Sequence, residues 1–113
     1  MNSEEAKSFI EEKVKGNDVL VFMKGSPDFP NCGFSAQVVQ ILKYFQVKFE
    51  GINILEDDAL RSGVKDYSQW PTIPQLYVKG EFVGGCDITS EMAQSGELVQ
   101  LFKDKEIAFK AAE

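Results

Sequence analysis

The sequence contains no histidine and only two cysteines, Cys32 and Cys86. The absence of histidine excludes Cys-His and Ser-His catalytic pairs, histidine general bases and zinc sites with imidazole ligands. Two cysteines are too few for the disulfide framework of a small secreted domain, so a reducing compartment is expected, in the first instance the cytoplasm. The acidic start MNSEEAKSF has no signal or transit pattern, and a processed protein of the mitochondrial matrix or another organelle would have the same composition.

Long apolar runs and an excess of positive charge are also missing. No run approaches the roughly 20 apolar residues that a membrane-spanning helix needs, so no membrane association is expected. Twelve Lys and Arg residues against 18 Asp and Glu residues give a formal net charge of −6. This charge argues against nucleic acid and anionic membrane surfaces as general partners.

Hydrophobic spacing predicts one domain, residues 1–113, in which helices and strands alternate. Helical spacing occurs over residues 3–15, 33–45, 57–67 and 88–108, the last segment being interrupted at Ser95-Gly96. Strand patterns occur over residues 18–23 and 47–54 and in a hairpin over 74–85 that turns at Lys79-Gly80. The order α-β-α-β-α-β-β-α predicts an α/β, thioredoxin-like fold: a four-stranded mixed sheet flanked by helices.

Cys32 is the main candidate for reactive chemistry. It ends the polar stretch KGSPDFPNC and directly precedes the helix predicted from Gly33, in which Phe34 is expected to face the core. Free N–H groups and the positive end of the helix dipole favour a thiolate there, and Lys24 adds a positive charge. A buried structural cysteine is the alternative. Ser35 stands where a Cys-x-x-Cys redox motif would have its second thiol.

Two segments resemble the signatures of the single-domain monothiol (CGFS-type) glutaredoxins. They are KGSPDFPNCGFS, residues 24–35, and WPTIPQLYVKGEFVGGCDI, residues 70–88. The motifs stand in the family's order and at its separations, and the likeness extends over essentially the whole chain. The resemblance implies the thioredoxin fold, glutathione as cofactor, and Cys32 as the catalytic thiol.

The resemblance further implies a set of cations near the glycine carboxylate of glutathione: Lys24, Arg61 and Lys65. A tripeptide with two carboxylates requires positive charge at one end of its site. The spacing i, i+4 of Arg61 and Lys65 would equally suit a solvated helix face, so both interpretations remain open for these two residues.

Thr72, Ile73 and Pro74 are the next implied contact. The family has a cis proline at the position of Pro74, which would leave the Ile73 backbone to pair with the tripeptide like an added strand. Trp70 and Pro71, just before this segment, are interpreted as packing around the turn, with stacking on a ligand as the alternative for Trp70.

Gly85, Cys86 and Asp87 are implied to hold the γ-glutamyl end of glutathione. Asp87 is also expected to cap the following helix, a role that can coexist with ligand binding. For Cys86 two alternatives stay open: a small buried filler, or a disulfide with Cys32.

Two functions from different classes fit one well-placed thiol. A [2Fe–2S] cluster usually has four thiolate-type ligands, so Cys32 as the metal ligand in two chains, with two glutathione thiolates, would complete a site in a homodimer. The resemblance implies this cluster carrier, active in iron–sulfur assembly and iron homeostasis, with BolA-type proteins and apo iron–sulfur recipients as partners. The alternative is glutathione-dependent thiol–disulfide exchange at Cys32, with weak activity at most.

Overall fold

The structure is a computed structural model and describes residues 1–110. Its helices are α1 (Ser3–Gly16), α2 (Gly33–Tyr44), α3 (Asp58–Ser68), α4 (Cys86–Ser95) and α5 (Glu97–Asp104), with a short 3-10 helix at Ile54–Glu56. Its strands are β1 (Val19–Met23), β2 (Glu50–Asn53), β3 (Gln75–Val78) and β4 (Glu81–Gly84). Within the described range, none of the helices has the length and apolar character that crossing a bilayer requires.

The four strands form one mixed sheet in the order β2-β1-β3-β4. Strand β1 pairs in parallel with β2 and antiparallel with β3, and β3 pairs antiparallel with β4. The hairpin turns at Lys79 and Gly80, which both have positive φ, as the tight two-residue turn requires. The predicted thioredoxin-like arrangement is therefore confirmed.

Strand β1 lies in the centre because every one of its residues is apolar and buried. Val19, Val21 and Met23 belong to a core cluster shared with α2 and α5, whereas Leu20 and Phe22 belong to a second cluster shared with α1 and α3. Alternate side chains of a strand point to opposite faces, so helices cover the sheet on both sides.

Some element boundaries differ from the prediction. The strand expected over 47–54 pairs only from Glu50 to Asn53. It ends at Asn53 because the side chain of this residue accepts a hydrogen bond from the Leu55 N–H and begins the 3-10 turn. The last helical segment begins earlier, at Cys86, and ends at Asp104. It is split, as expected, at Gly96, whose φ of +88° interrupts the helix.

Two side-chain expectations are wrong. Phe34 is 61% exposed instead of facing the core, because the first turn of α2 lies at the mouth of a cleft. Asp87 does not cap α4: the N-cap is Gly85, whose position has no side-chain cap, and Asp87 lies inside the first turn. A carboxylate there still interacts favourably with the helix dipole.

Candidate functional site

A cleft of about 400 Å³ lies where the end of β1 meets the first turns of α2 and α4. Helix α3 and the loop from α3 to β3 complete its walls. All residues that the resemblance implied as glutathione contacts line this cleft: Lys24, Arg61, Lys65, Thr72, Ile73, Pro74, Gly85, Cys86 and Asp87. The fold therefore brings together segments that are far apart in sequence.

Cys32 is half-buried and is not itself among the residues that line the cleft. It is the N-cap of α2, with extended backbone angles, and its neighbours Lys24 and Phe34 line the cleft. The pKa of the Cys32 thiol is lowered, chiefly by the Ser35 backbone N–H in the first turn of α2. The Phe34 N–H and the Lys24 charge also lower it, against partial desolvation. A helix N-terminus thus favours the thiolate, as expected from sequence.

Ser35 has a structural role that the sequence did not reveal. Its side chain is fully buried, and its hydroxyl oxygen accepts a hydrogen bond from the Lys24 N–H at 3.1 Å. The bond connects the first turn of α2 to the residue that follows β1. It therefore fixes the positions of Cys32 and Lys24 relative to each other.

Hydrogen bonds from backbone N–H groups hold the loop before Cys32. Asn31 donates its N–H to the Lys24 carbonyl at 2.9 Å, and the Gly25 N–H donates to the Asn53 side chain at 3.0 Å. Pro27 packs against β2 so closely that a Cβ on Gly51 would come within 2.5 Å of its ring. The ordered loop leaves Phe29 at its tip, 78% exposed.

The cations of the cleft have no anionic partner among the described residues. None of the ion pairs within residues 1–110 includes Lys24, Arg61 or Lys65. Arg61 and Lys65 lie one turn apart on α3 and both line the cleft. The arrangement offers positive charge to an anionic ligand at this end of the cleft.

The turn of residues 70–74, named the cleft turn from here on, forms one wall. The Ile73-Pro74 peptide bond is cis. Ile73 lies between α3 and β3, outside the helices and strands. Within residues 1–110, no backbone hydrogen bond is found there for its N–H or carbonyl group. A peptide-like ligand in the cleft would find these groups free for hydrogen bonds.

The start of α4 forms the wall next to the cleft turn. A Cβ on Gly85 would approach the Pro74 carbonyl to 3.2 Å, so the two backbones are close. Asp87 is exposed in the first turn, next to the free N–H groups of the helix. A ligand end that carries both an ammonium and a carboxylate would match this pair of groups.

Cys86 is a buried free thiol, 8% exposed, and Cys32 is free as well. Burial raises the pKa of the Cys86 thiol, and the nearby Asp87 and Cys32 charges raise it further. Of the two alternatives left open for Cys86, the structure contains the buried thiol rather than the disulfide.

The cleft is also lined by four residues that the sequence did not predict as ligand contacts: Phe34, Trp70, Pro71 and Ile88. Trp70 does pack, with its ring centroid 5.8 Å from that of Phe82, but it is also 38% exposed. An aromatic residue and a proline directly before the predicted glutathione contacts were the available signal.

Comparison with known proteins is consistent with this geometry. The family model described as Glutaredoxin matches residues 19–83. The chain is 59% identical over 92 residues to "Monothiol glutaredoxin-S14, chloroplastic" of Arabidopsis thaliana, a match that covers 81% of this chain and 53% of that protein. It therefore spans about half the length of that relative. It is 53% identical over 105 residues to "Monothiol glutaredoxin-5, mitochondrial" of Lachancea kluyveri, covering 90% of this chain and 73% of that protein.

Solved structures give the same result. Reduced apo GrxS14 from poplar is 53% identical, with a TM-score of 0.79 over 88% of this chain and 92% of that chain. A monomeric truncated mutant of 1-C-Grx1 from Trypanosoma brucei is 39% identical, with a TM-score of 0.87 over 94% of this chain and 96% of that chain.

Proposed function

The chain belongs to the glutaredoxin family, with relatives of the monothiol type, and on that premise we propose that it carries a glutathione-ligated [2Fe–2S] cluster between two copies of itself. Glutaredoxins use glutathione. The observation that carries the proposal is the pairing of one accessible, thiolate-favouring cysteine with a cationic cleft beside it.

The number of available ligands supports a shared cluster. Such a cluster has four ligands, preferably soft thiolates. Within residues 1–110 no group of three or more His, Cys, Asp or Glu side chains could hold a metal. Cys86 is buried and its pKa is raised by that burial, so it is a poor second ligand. One Cys32 from each of two chains leaves two positions for the cysteine thiolates of two glutathione molecules.

The cleft residues would hold each glutathione so that its sulfur reaches the cluster. Lys24, Arg61 and Lys65 would bind its glycine carboxylate, and the Ile73 backbone would pair with its peptide groups. The γ-glutamyl end would bind at Asp87 and the N–H groups of α4. These roles use charge and backbone pairing, which together select a tripeptide of this polarity.

The cluster is cargo in this proposal rather than a permanent part of the protein. A site made partly of exchangeable glutathione opens when the dimer separates, which suits transfer to apo iron–sulfur recipients or exchange with a BolA-type partner. Cys32 must remain reduced for this role, so we propose a reducing compartment, cytoplasmic or organellar. We also propose that residues 1–113 act as one glutaredoxin domain.

Glutathione-dependent disulfide exchange is the second candidate, favoured by the lowered pKa of Cys32. The Cys32 thiolate would attack a mixed disulfide, form a new S–S bond to glutathione, and release the substrate as a thiolate. Ser35 offers no resolving thiol, so a second glutathione has to break the Cys32–glutathione bond. Fast turnover of a glutathionylated protein, with no cluster formation, would favour this candidate.

Anaerobic reconstitution with ferrous iron, sulfide and glutathione tests the proposal. We expect a visible-absorbing species that elutes as a dimer. Cys32→Ser loses the colour, whereas Cys86→Ser, which keeps the backbone contacts of that position, retains it. A coloured Cys32→Ser sample, or a colourless wild-type sample, would contradict the proposal.

A further inference from the structure

Gln75 is a fully buried polar residue at the first position of β3. A buried amide costs free energy unless its donors and acceptor are hydrogen-bonded. The hydrogen-bond partners of this side chain therefore decide whether it is tolerated, and they also show which parts of the structure it connects.

Both ends of the Gln75 amide are satisfied. Its nitrogen Nε2 donates to the carbonyl oxygens of Trp70 and Thr72, each at 3.2 Å. Its oxygen Oε1 accepts from the Tyr77 hydroxyl, also at 3.2 Å. Backbone carbonyls only accept, so the NH₂ group must face them and the amide has one possible orientation. The Tyr77 hydroxyl is protonated at neutral pH and can donate, and burial raises its pKa further, to about 12.

The two carbonyls belong to the cleft turn, residues 70–74. One nitrogen atom thus fixes the turn at Trp70 and again at Thr72, directly before Ile73. Gln75 itself does not line the cleft, whereas Trp70, Thr72 and Ile73 do. Its influence on a ligand would therefore pass through the backbone of the turn.

We propose that Gln75 is a positioning residue for glutathione: its amide holds the cleft turn in the shape in which Ile73 presents its N–H and carbonyl groups to the tripeptide. The inference rests on the glutathione binding proposed above. A methionine of similar length has no donor, and an ionised glutamate would place negative charge against two carbonyl oxygens.

The test compares two disulfide-exchange equilibria at Cys32, one with glutathione disulfide and one with 2-hydroxyethyl disulfide. In each, the Cys32 thiolate attacks, one S–S bond forms as another breaks, and one thiolate leaves, so no further oxidant is needed. The glutathionyl adduct can use the cleft, whereas the hydroxyethyl adduct lacks the peptide groups. The ratio of the two equilibrium constants therefore reports on the cleft, separately from the reactivity of Cys32.

We expect Gln75→Met to lower this ratio roughly ten- to a hundredfold, because a ligand-binding backbone that is displaced by a fraction of an ångström loses its alignment. Leu98→Ala is the matched control: Leu98 is fully buried in the core cluster on the other face of the sheet, so its loss lowers stability without touching the turn. Its ratio should equal that of the wild type. Tyr77→Phe leaves both bonds to the turn in place and should retain most of the ratio.

An unchanged ratio in folded Gln75→Met overturns the inference, and so does an equal fall in Leu98→Ala, which would indicate general destabilisation. Should Gln75→Met not fold, Gln75→Asn, which keeps the amide but is one methylene shorter, provides the same test. A wild-type protein with no preference for the glutathionyl adduct would overturn glutathione binding itself. If instead the wild type prefers the glutathionyl adduct and the Gln75 variants keep that preference, only the role of Gln75 is overturned.

Discussion

A single sulfur atom, that of Cys32, carries the proposed chemistry, and its surroundings determine its charge. The largest contribution to its lowered pKa comes from a backbone N–H, that of Ser35, which no substitution removes easily. The Lys24 charge and the Ser35 hydroxyl also lower this pKa. Substitution of Lys24 tests the contribution of its charge to the pKa, and substitution of Ser35 tests the structural role of its hydroxyl.

Replacement of Lys24 by glutamine should raise the pKa of Cys32, because a positive charge that favours the thiolate is lost. At neutral pH a smaller fraction of thiolate then remains, and alkylation by iodoacetamide slows severalfold. The measurement is the alkylation rate as a function of pH. Lys103→Gln, an exposed change on α5, is the control and should leave the profile unchanged. A Lys24→Gln profile that coincides with the wild-type profile would refute the contribution of Lys24.

Replacement of Ser35 by alanine should destabilise the protein by about 1–3 kcal/mol, because the Lys24 N–H loses its hydrogen-bond acceptor at a buried position. The free energy of unfolding in urea measures the effect. Ser62→Ala on the exposed side of α3 should change it by no more than about 0.5 kcal/mol. Equal effects of the two substitutions would mean that the Ser35 hydroxyl does not connect α2 to β1.

At the scale of elements, local sequence signals predicted the strands and helices better than their ends. The continuous apolar run of β1 and the Lys79-Gly80 turn identified the centre of the sheet and its hairpin. The 3-10 turn after β2 depends on a hydrogen bond that the Asn53 side chain accepts from the Leu55 N–H, which hydrophobic spacing does not reveal.

The motifs implied that Lys24, Arg61 and Lys65 lie together, and the three side chains do line one cleft, while their role in ligand binding stays a prediction. The site was not predictable where a residue acts through contacts that only the fold creates. Phe34 has helical core spacing yet lies at the cleft mouth. In the sequence, Gln75 is only a polar residue at the start of an apolar strand. Its hydrogen bonds to the carbonyl groups three and five residues earlier exist only once the turn has formed.

The loop before Cys32 can be tested through Gly25. Its φ is +87°, and a Cβ there would lie 2.4 Å from the Phe29 carbonyl oxygen, so Gly25→Ala must disrupt the loop. The left-handed conformation alone costs a non-glycine residue about 1–2 kcal/mol, and the clash adds to this. Gly16→Ala, at a position with open space around it, should be neutral or slightly stabilising in the same urea titration. A neutral Gly25→Ala would show that the loop is not held in this form.

At the scale of the whole molecule, the proposed assembly follows from one thiol, that of Cys32, beside a cationic cleft. Within residues 1–110 a single chain supplies Cys32 and the cleft proposed to bind glutathione, but no group of side chains that could hold a metal by itself. Each cluster would therefore require two chains and two glutathione molecules.

Native mass spectrometry of the anaerobically reconstituted protein tests this claim most directly. We expect a species with the mass of two chains, one [2Fe–2S] cluster and two glutathione molecules. With 2-mercaptoethanol in place of glutathione, no cluster-bridged dimer should accumulate, because 2-mercaptoethanol lacks the carboxylates and peptide groups that the cleft would bind. A cluster held by one chain, or a cluster-bridged dimer without glutathione, would contradict this stoichiometry.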